Sequence, residues 1–312
     1  MWSEPRPRVV IAGEALIDLI IDADGSVTPA PGGGQYNAAR ALARLGGNVE
    51  FMGRLSDDWF GRLLRAKLDE DGVGTALAVT TEDPTTLVLA EIDEVGVAHY
   101  HWYIEQTTVP GLELADARRA LEPVPDALHV GTLGLAMEPI ADSLAAVVAE
   151  VPGTTLVMVD PNCRPTATPD FGRYQERMQR VISRADVVKG SDEDYAYLAL
   201  APTPAETARL LLDQGVGAVL VTHGADEALG FCAGGEVSVP VPKVQVVDTV
   251  GAGDTFGGAF LAYWLEHGLG RQELSDTHLL ESAVCFAVQA AAINCSRAGA
   301  EPPTREEMGL DD

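Results

Sequence analysis

The stretch VVDTVGAGDTFGGAF, residues 246–260, constrains the fold more tightly than any other part of the chain. An apolar pair, Val246-Val247, leads through Gly251-Ala252-Gly253 into the helical pattern DTFGGAFLAYWLEHG. A strand turning through glycines directly into a helix is a unit of layered α/β architecture. The first N–H groups of that helix have no intrahelical acceptor and its dipole is positive there, so the turn suits an anion. Yet Asp254 puts a carboxylate in the same turn. An acid there can simply cap the helix. Beside a cradle of N–H groups it also meets the needs of phosphoryl transfer to an alcohol: the carboxylate takes the hydroxyl proton and the amides neutralise charge on the migrating group.

The rest of the chain repeats the alternation. RVVIAGE (8–14), VEFMGRL (49–55), ALHVGTL (127–133), TLVMVDPN (155–162), DVVKGS (186–191) and AVLVTHG (218–224) read as buried strands. Ala38, Ala41, Leu42 and Leu45 fall on one helical face before Gly46-Gly47. Ser56 is the expected cap of a helix burying Phe60, Leu63, Leu64 and Leu68, and further helices fit 137–151, 171–185, 203–215, 253–268 and 275–296. This predicts an α/β fold: a three-layer sandwich whose mostly parallel sheet is covered on both faces, with ligands beyond the carboxyl ends of the strands. Two regions break the pattern. ALIDLIID (15–22) is a strand with no helix after it, and 85–105 reads as a hairpin turning near Glu94-Val95-Gly96. Together they predict a small β-sheet lid on one domain spanning 1–312.

Charge narrows the partners. Lys plus Arg total 21 against 47 Asp plus Glu, a net charge of −26 that repels nucleic acid and anionic membranes. No run of eighteen apolar residues marks a membrane span, and the start, MWSEPRPRVVIAGE, lacks a signal layout. Cys163, Cys232, Cys285 and Cys295 are scattered, which fits a reducing cytoplasm. Lysine occurs only at Lys67, Lys189 and Lys243, so phosphate would be held by backbone N–H groups, arginines and metal. The P-loop pattern is missing, and Phe256 stands where a dinucleotide fingerprint has its third glycine. Asp170-Phe171-Gly172, without a kinase catalytic loop, reads as a helix start.

DTVGAGDTFGGAF resembles the C-terminal signature of the PfkB, or ribokinase-like, carbohydrate kinases, and PGGGQYNAARALARLGGNVEFMGRLSDDWFG (31–61) resembles their N-terminal one. The resemblance implies a ribokinase-like fold and an ATP- and Mg2+-dependent sugar kinase acting on a primary hydroxyl. Asp254 would be the base, and Gly251, Ala252 and Gly253 the anion hole. Asp18, Gly33 and Asn37 would hold the sugar. VDPNCRP resembles the segment common in fructokinases and 2-keto-3-deoxygluconate kinases, which brings Arg164 to the phosphate and makes fructose the leading substrate; Gly34, where ribokinases carry Lys, argues against ribose. The other acceptors left open are 2-keto-3-deoxygluconate, ribose and a nucleoside. Ser191 and Asp194 match the N-x-x-E motif that serves Mg2+ and phosphate, and equally form an acidic first helical turn. Thr222 and Gly224 match a nucleotide loop whose last glycine is replaced by Glu227. Asn294 lies in a segment beside the nucleotide, and Asp248, Val250 and Gly299 match positions that hold K+ in many members. His99, His101, Trp102 and Tyr103 lie on the expected lid, where an aromatic would stack on sugar or pack a partner's lid into a homodimer. A rival reading, fed by Glu227 and the altered N-x-x-E motif, is a sugar-binding regulator without turnover.

Overall fold

The computed structural model describes residues 2, 5–21, 25–92 and 98–310. In chain order the strands are β1 (Arg8–Ala12), β2 (Leu16–Ile21), β3 (Val27–Gly32), β4 (Asn48–Met52), β5 (Arg54–Ser56), β6 (Val79–Thr81), β7 (Leu87–Ile92), β8 (Ala98–Tyr103), β9 (Ala127–Gly131), β10 (Leu156–Asp160), β11 (Val187–Ser191), β12 (Ala218–His223), β13 (Glu227–Cys232) and β14 (Gly235–Pro240). The α-helices are α1 (Gly34–Arg44), α2 (Trp59–Glu70), α3 (Leu114–Ala117), α4 (Ile140–Glu150), α5 (Phe171–Ile182), α6 (Asp192–Leu198), α7 (Pro204–Asp213), α8 (Ala252–Glu266) and α9 (Thr277–Cys295).

Among the described residues the main sheet has eight strands in the order β14-β13-β12-β11-β10-β9-β1-β4. β4, β1, β9, β10, β11 and β12 run parallel, and β13 and β14 close one edge antiparallel. Alternate residues of one strand feed opposite cores. Val9 and Ile11 pack with α1, α8 and α9, while Val10 and Ala12 pack with α4 and α5. Burial on both faces explains the unbroken apolar runs of the parallel strands. From β1 the chain steps first to β4 on one side and later to β9 on the other. That reversal opens a crevice at the carboxyl ends of β1 and β9.

The predicted lid is a separate sheet, β3-β2-β7-β8. Its register aligns Ala30, Asp18, Val88 and Trp102 in one row across the four strands. Trp102 Nε1 donates to Thr166 Oγ1 at 3.1 Å, so this row faces the loop after β10 and Tyr103 faces outward. The expected turn at Glu94-Val95-Gly96 and the last residue of the expected first strand, Asp22, lie outside the described residues.

Three expectations differ. Ser56 ends β5 and its hydroxyl accepts the Asp58 N–H; the α2 cap is Asp58, which accepts from Gly61 N at 2.7 Å. Val246 and Val247 do not end a strand. They are 57% and 58% exposed on an irregular segment after β14, where Pro240 and Pro242 lack the N–H a ladder needs. Finally, α9 is long and apolar enough to cross a membrane by length and composition. Its apolar residues, among them Ala283, Val284 and Ala287, are instead buried in the core shared with α8.

Candidate active site

Asp254, in the first turn of α8, is gripped by two asparagines. Asn37 Nδ2 donates to Asp254 Oδ2 at 2.9 Å, and Asn162 Nδ2 donates to Asp254 Oδ1 at 3.2 Å. Asn37 sits on the first turn of α1, and Asn162 follows β10 in a left-handed conformation (φ 37°). Gly258 explains how α8 comes close enough to α1. A Cβ there would stand 2.5 Å from the Ala38 carbonyl oxygen and 2.8 Å from Ala41 Cβ, so only glycine lets the helices touch. Burial lifts the Asp254 carboxyl above the usual carboxylate range, while the Asn37 hydrogen bond, Lys189 and Arg164 oppose the rise. A carboxylate shifted toward neutrality accepts a proton more readily. Asn37 Oδ1 is buried with no protein partner, a free acceptor beside the base.

The paired-glycine loop is shaped by a residue that sequence reasoning passed over. Glu14, after β1, is 1% exposed. Its Oε1 accepts Gly34 N–H at 2.7 Å and its Oε2 accepts Gly134 N–H at 3.2 Å. A Cβ on Gly33 (φ 111°) would lie 2.7 Å from the Glu14 carbonyl oxygen, and one on Gly34 would collide with Thr132 Oγ1. No lysine fits at position 34. Burial raises Glu14 to about 7. On the lid, burial lifts Asp18 to about 6, with Arg164 opposing and Asp254 reinforcing, so these three charges share one field.

The opposite wall is cationic. Gly251 is the α8 N-cap in the left-handed region (φ 73°), and no side chain caps the helix. Of the three expected donors, Ala252 N–H is already engaged by Thr249 O at 3.2 Å. Helix geometry leaves Gly253 and Asp254 N–H without intrahelical acceptors. Beneath them lies Lys189, also passed over: its Nζ would be 3.0 Å from a Cβ on Gly253. It pairs with Asp160 Oδ2 at 2.7 Å, both side chains under 5% exposed. Burial disfavours the ammonium, but Asp160 outweighs it and holds Lys189 above its ordinary value. Arg164 Nη1 donates to the carbonyls of Asn162 (3.1 Å) and Cys163 (3.0 Å) and has no ion pair within 4.0 Å among the described residues.

Further out, the expected nucleotide and metal residues stand as follows. Ser191 and Asp194 form a capping box on α6; Asp194 Oδ2 accepts Ser191 N–H at 2.7 Å, and its Oδ1 accepts Cys163 N–H at 2.6 Å. The acidic first-turn reading thus describes their geometry, and Asp194 also braces the loop carrying Asn162 and Arg164. Thr222 is the last but one residue of β12, and Gly224 (φ 53°) has open space where a Cβ would go. Glu227 is turned toward β14, bonded to Ser238 Oγ. Asp248 spans its loop, accepting Val250 N–H at 3.0 Å and Gly299 N–H at 2.9 Å. The Asn294 side chain is fully buried and donates to Val250 O at 2.8 Å. Among the described residues no three His, Cys, Asp or Glu side chains gather as a metal site.

Glu14, Asn162 and Lys189 each end an apolar run or follow one, a position shared with solvated strand ends. The one available signal was that those runs point to a single end of a parallel sheet.

A carboxylate held by two asparagines in the first turn of an uncapped helix suits phosphoryl transfer, and comparison with known proteins points to kinases. The family model for pfkB family carbohydrate kinases matches residues 6–307. A fructokinase of Rhizobium leguminosarum bv. trifolii is 32% identical over 81% of this chain and 78% of its own. A fructokinase of Vibrio alginolyticus is 28% identical over 96% and 97%. Among solved structures, Xylella fastidiosa fructokinase with bound ATP superposes with a TM-score of 0.89 at 27% identity, covering 96% of both chains. Vibrio cholerae O395 fructokinase with fructose, ADP and calcium gives 0.86 at 27% identity, covering 98% and 99%. The crevice described above therefore lies in a ribokinase-like carbohydrate kinase, and the chain belongs to the pfkB family.

Proposed function

We propose that this chain is an ATP-dependent fructokinase. The observation that carries it is the pairing of Asp254, gripped by Asn37 and Asn162, with the unpartnered Asn37 Oδ1 beside it. A sugar places its primary hydroxyl against Asp254, and Asn37 Oδ1 and Asp18 accept its other hydroxyls. Asp254 takes the proton as the oxygen attacks the terminal phosphorus. The Gly253 and Asp254 N–H groups, Lys189 and Arg164 neutralise the charge on the transferred group. Exposed Val246, Val247 and Val250 offer an apolar seat for the nucleotide base. Glu227 is tied to Ser238 rather than left facing the Gly224 turn. With Trp102 held to Thr166, the lid excludes water that would otherwise be phosphorylated.

Mg2+ bound with the nucleotide supplies charge neutralisation on its phosphates. The described residues offer it no ready-made cage, and Asp194, its oxygens taken by Ser191 and Cys163, would reach it through water. K+ would be held by backbone carbonyls of the 248–250 and 299 loops, which Asp248 fastens together. The outer lid face, with Tyr103 57% exposed, is the surface we assign to a second copy, and the cytoplasm is the compartment that scattered cysteines fit. ADP release measured over fructose, 2-keto-3-deoxygluconate, ribose and a nucleoside tests the assignment. The highest kcat/KM is expected with fructose; sugar binding without ADP release from any acceptor would make the protein a sensor.

A further inference from the structure

Glu14 hydrogen-bonds neither Asp254 nor the anion wall, yet it holds the two segments that stand behind the asparagines gripping Asp254. Its Oε1 takes the Gly34 N–H, at the start of the helix that presents Asn37 one turn on. Its Oε2 takes the Gly134 N–H, in the turn after β9. That same turn carries Thr132, whose Oγ1 accepts from Asn162 Nδ2 at 3.4 Å. Both asparagines that hold Asp254 thus trace back to one buried carboxylate, by two separate paths. The surrounding glycines fit the same arrangement, since a side chain at position 33 or 34 would strike Glu14 or Thr132.

We propose that Glu14 is a positioning residue for phosphoryl transfer, clamping the sugar loop to the turn after β9 so that Asn37 and Asn162 present Asp254 at one fixed geometry. Two acceptor oxygens are needed, because each N–H comes from a different element. Asp254 is the charged group that faces Glu14, and its charge adds to burial in raising the Glu14 carboxyl.

This inference rests on Asp254 being the base, so wild-type turnover on the sugar panel is the control. Glu14→Gln keeps the shape and loses one acceptor and the charge. We expect kcat to fall by about tenfold with the nucleotide KM within about twofold. Amide exchange at Gly34 and Gly134 should quicken by about tenfold. Glu14→Asp, too short to reach both N–H groups, should lose kcat likewise, and it decides the matter if Glu14→Gln does not fold. A folded Glu14→Gln with wild-type kcat overturns the proposal, as does a loss matched only by the fraction unfolded. If the wild type turns over no acceptor, the kinase reading fails instead. Exchange then judges Glu14 alone, and unchanged protection at Gly34 and Gly134 in Glu14→Gln overturns the clamp.

Discussion

The two halves of the crevice are built by different means. The acceptor side is buried and interlocked: Asn37 and Asn162 grip Asp254 at 2.9 and 3.2 Å, and Glu14 holds the Gly34 and Gly134 N–H groups behind them at 2.7 and 3.2 Å. The donor side is open backbone. Its 241–250 segment has no regular structure, its valines face solvent, and its polar side chains, Asp248 and Asn294, bind the protein's own amides and carbonyls. A site that must fix a small alcohol to within fractions of an ångström spends side chains on it. On the proposed reading a nucleotide, large and multiply charged, would be held by amides, a helix tip and an apolar surface.

If that contrast holds, substitutions should cost most where the interlock is tightest. Asp254→Asn removes the base without altering its outline, so kcat should fall by about 10²–10⁴ with little change in KM. Turnover surviving within about tenfold would remove Asp254 from that role. Lys189→Met should lower kcat by about 10²-fold, and it strands Asp160 as an unpaired buried charge at a cost of about 3–5 kcal/mol in urea unfolding. An unchanged midpoint would mean that Asp160 takes up a proton instead. The third test uses pH. Glu14 binds its proton more tightly folded (about 7) than at its ordinary 4.5, so the stability from that proton is complete below about pH 4.5 and lost as pH rises through about 7. The total is of order 3 kcal/mol, and Glu14→Gln should flatten the fall in unfolding free energy between pH 5 and 8. Parallel curves would assign the slope to other groups, Asp18 first. The smallest effect is expected on the donor side: Glu227→Gly restores the family's glycine but changes a side chain already turned to Ser238, so the ATP KM should move by less than about twofold. A large drop would show that Glu227 faces the phosphates.

Much of this contrast was legible in the residues. The parallel strands announce themselves because both faces are buried, which leaves unbroken apolar runs. The helix tip with Asp254 and the sugar loop with Asn37 stand in local patterns. The β13–β14 hairpin went unread because EALGFCAGGEVSVP mixes glycines and small residues with little alternation. Val246-Val247 misled because an exposed apolar pair looks like a strand end. Glu14 and Lys189 were missed for a more general reason. Their burial is decided by residues far along the chain, Gly134 for one and Asp160 for the other, and a charged residue closing an apolar run carries no local mark of which way it will face.

The glycine contact between α8 and α1 bears on how the molecule moves. With no side chain at position 258 to slide or tilt against, the helices bearing Asp254 and Asn37 form one rigid block, and shifting either would tear backbone from backbone. If the four-stranded sheet moves as a lid, its pivot would be the threonine-rich root where Thr86, Thr107 and Thr108 share hydrogen bonds, with Asp254 and Asn37 staying in place.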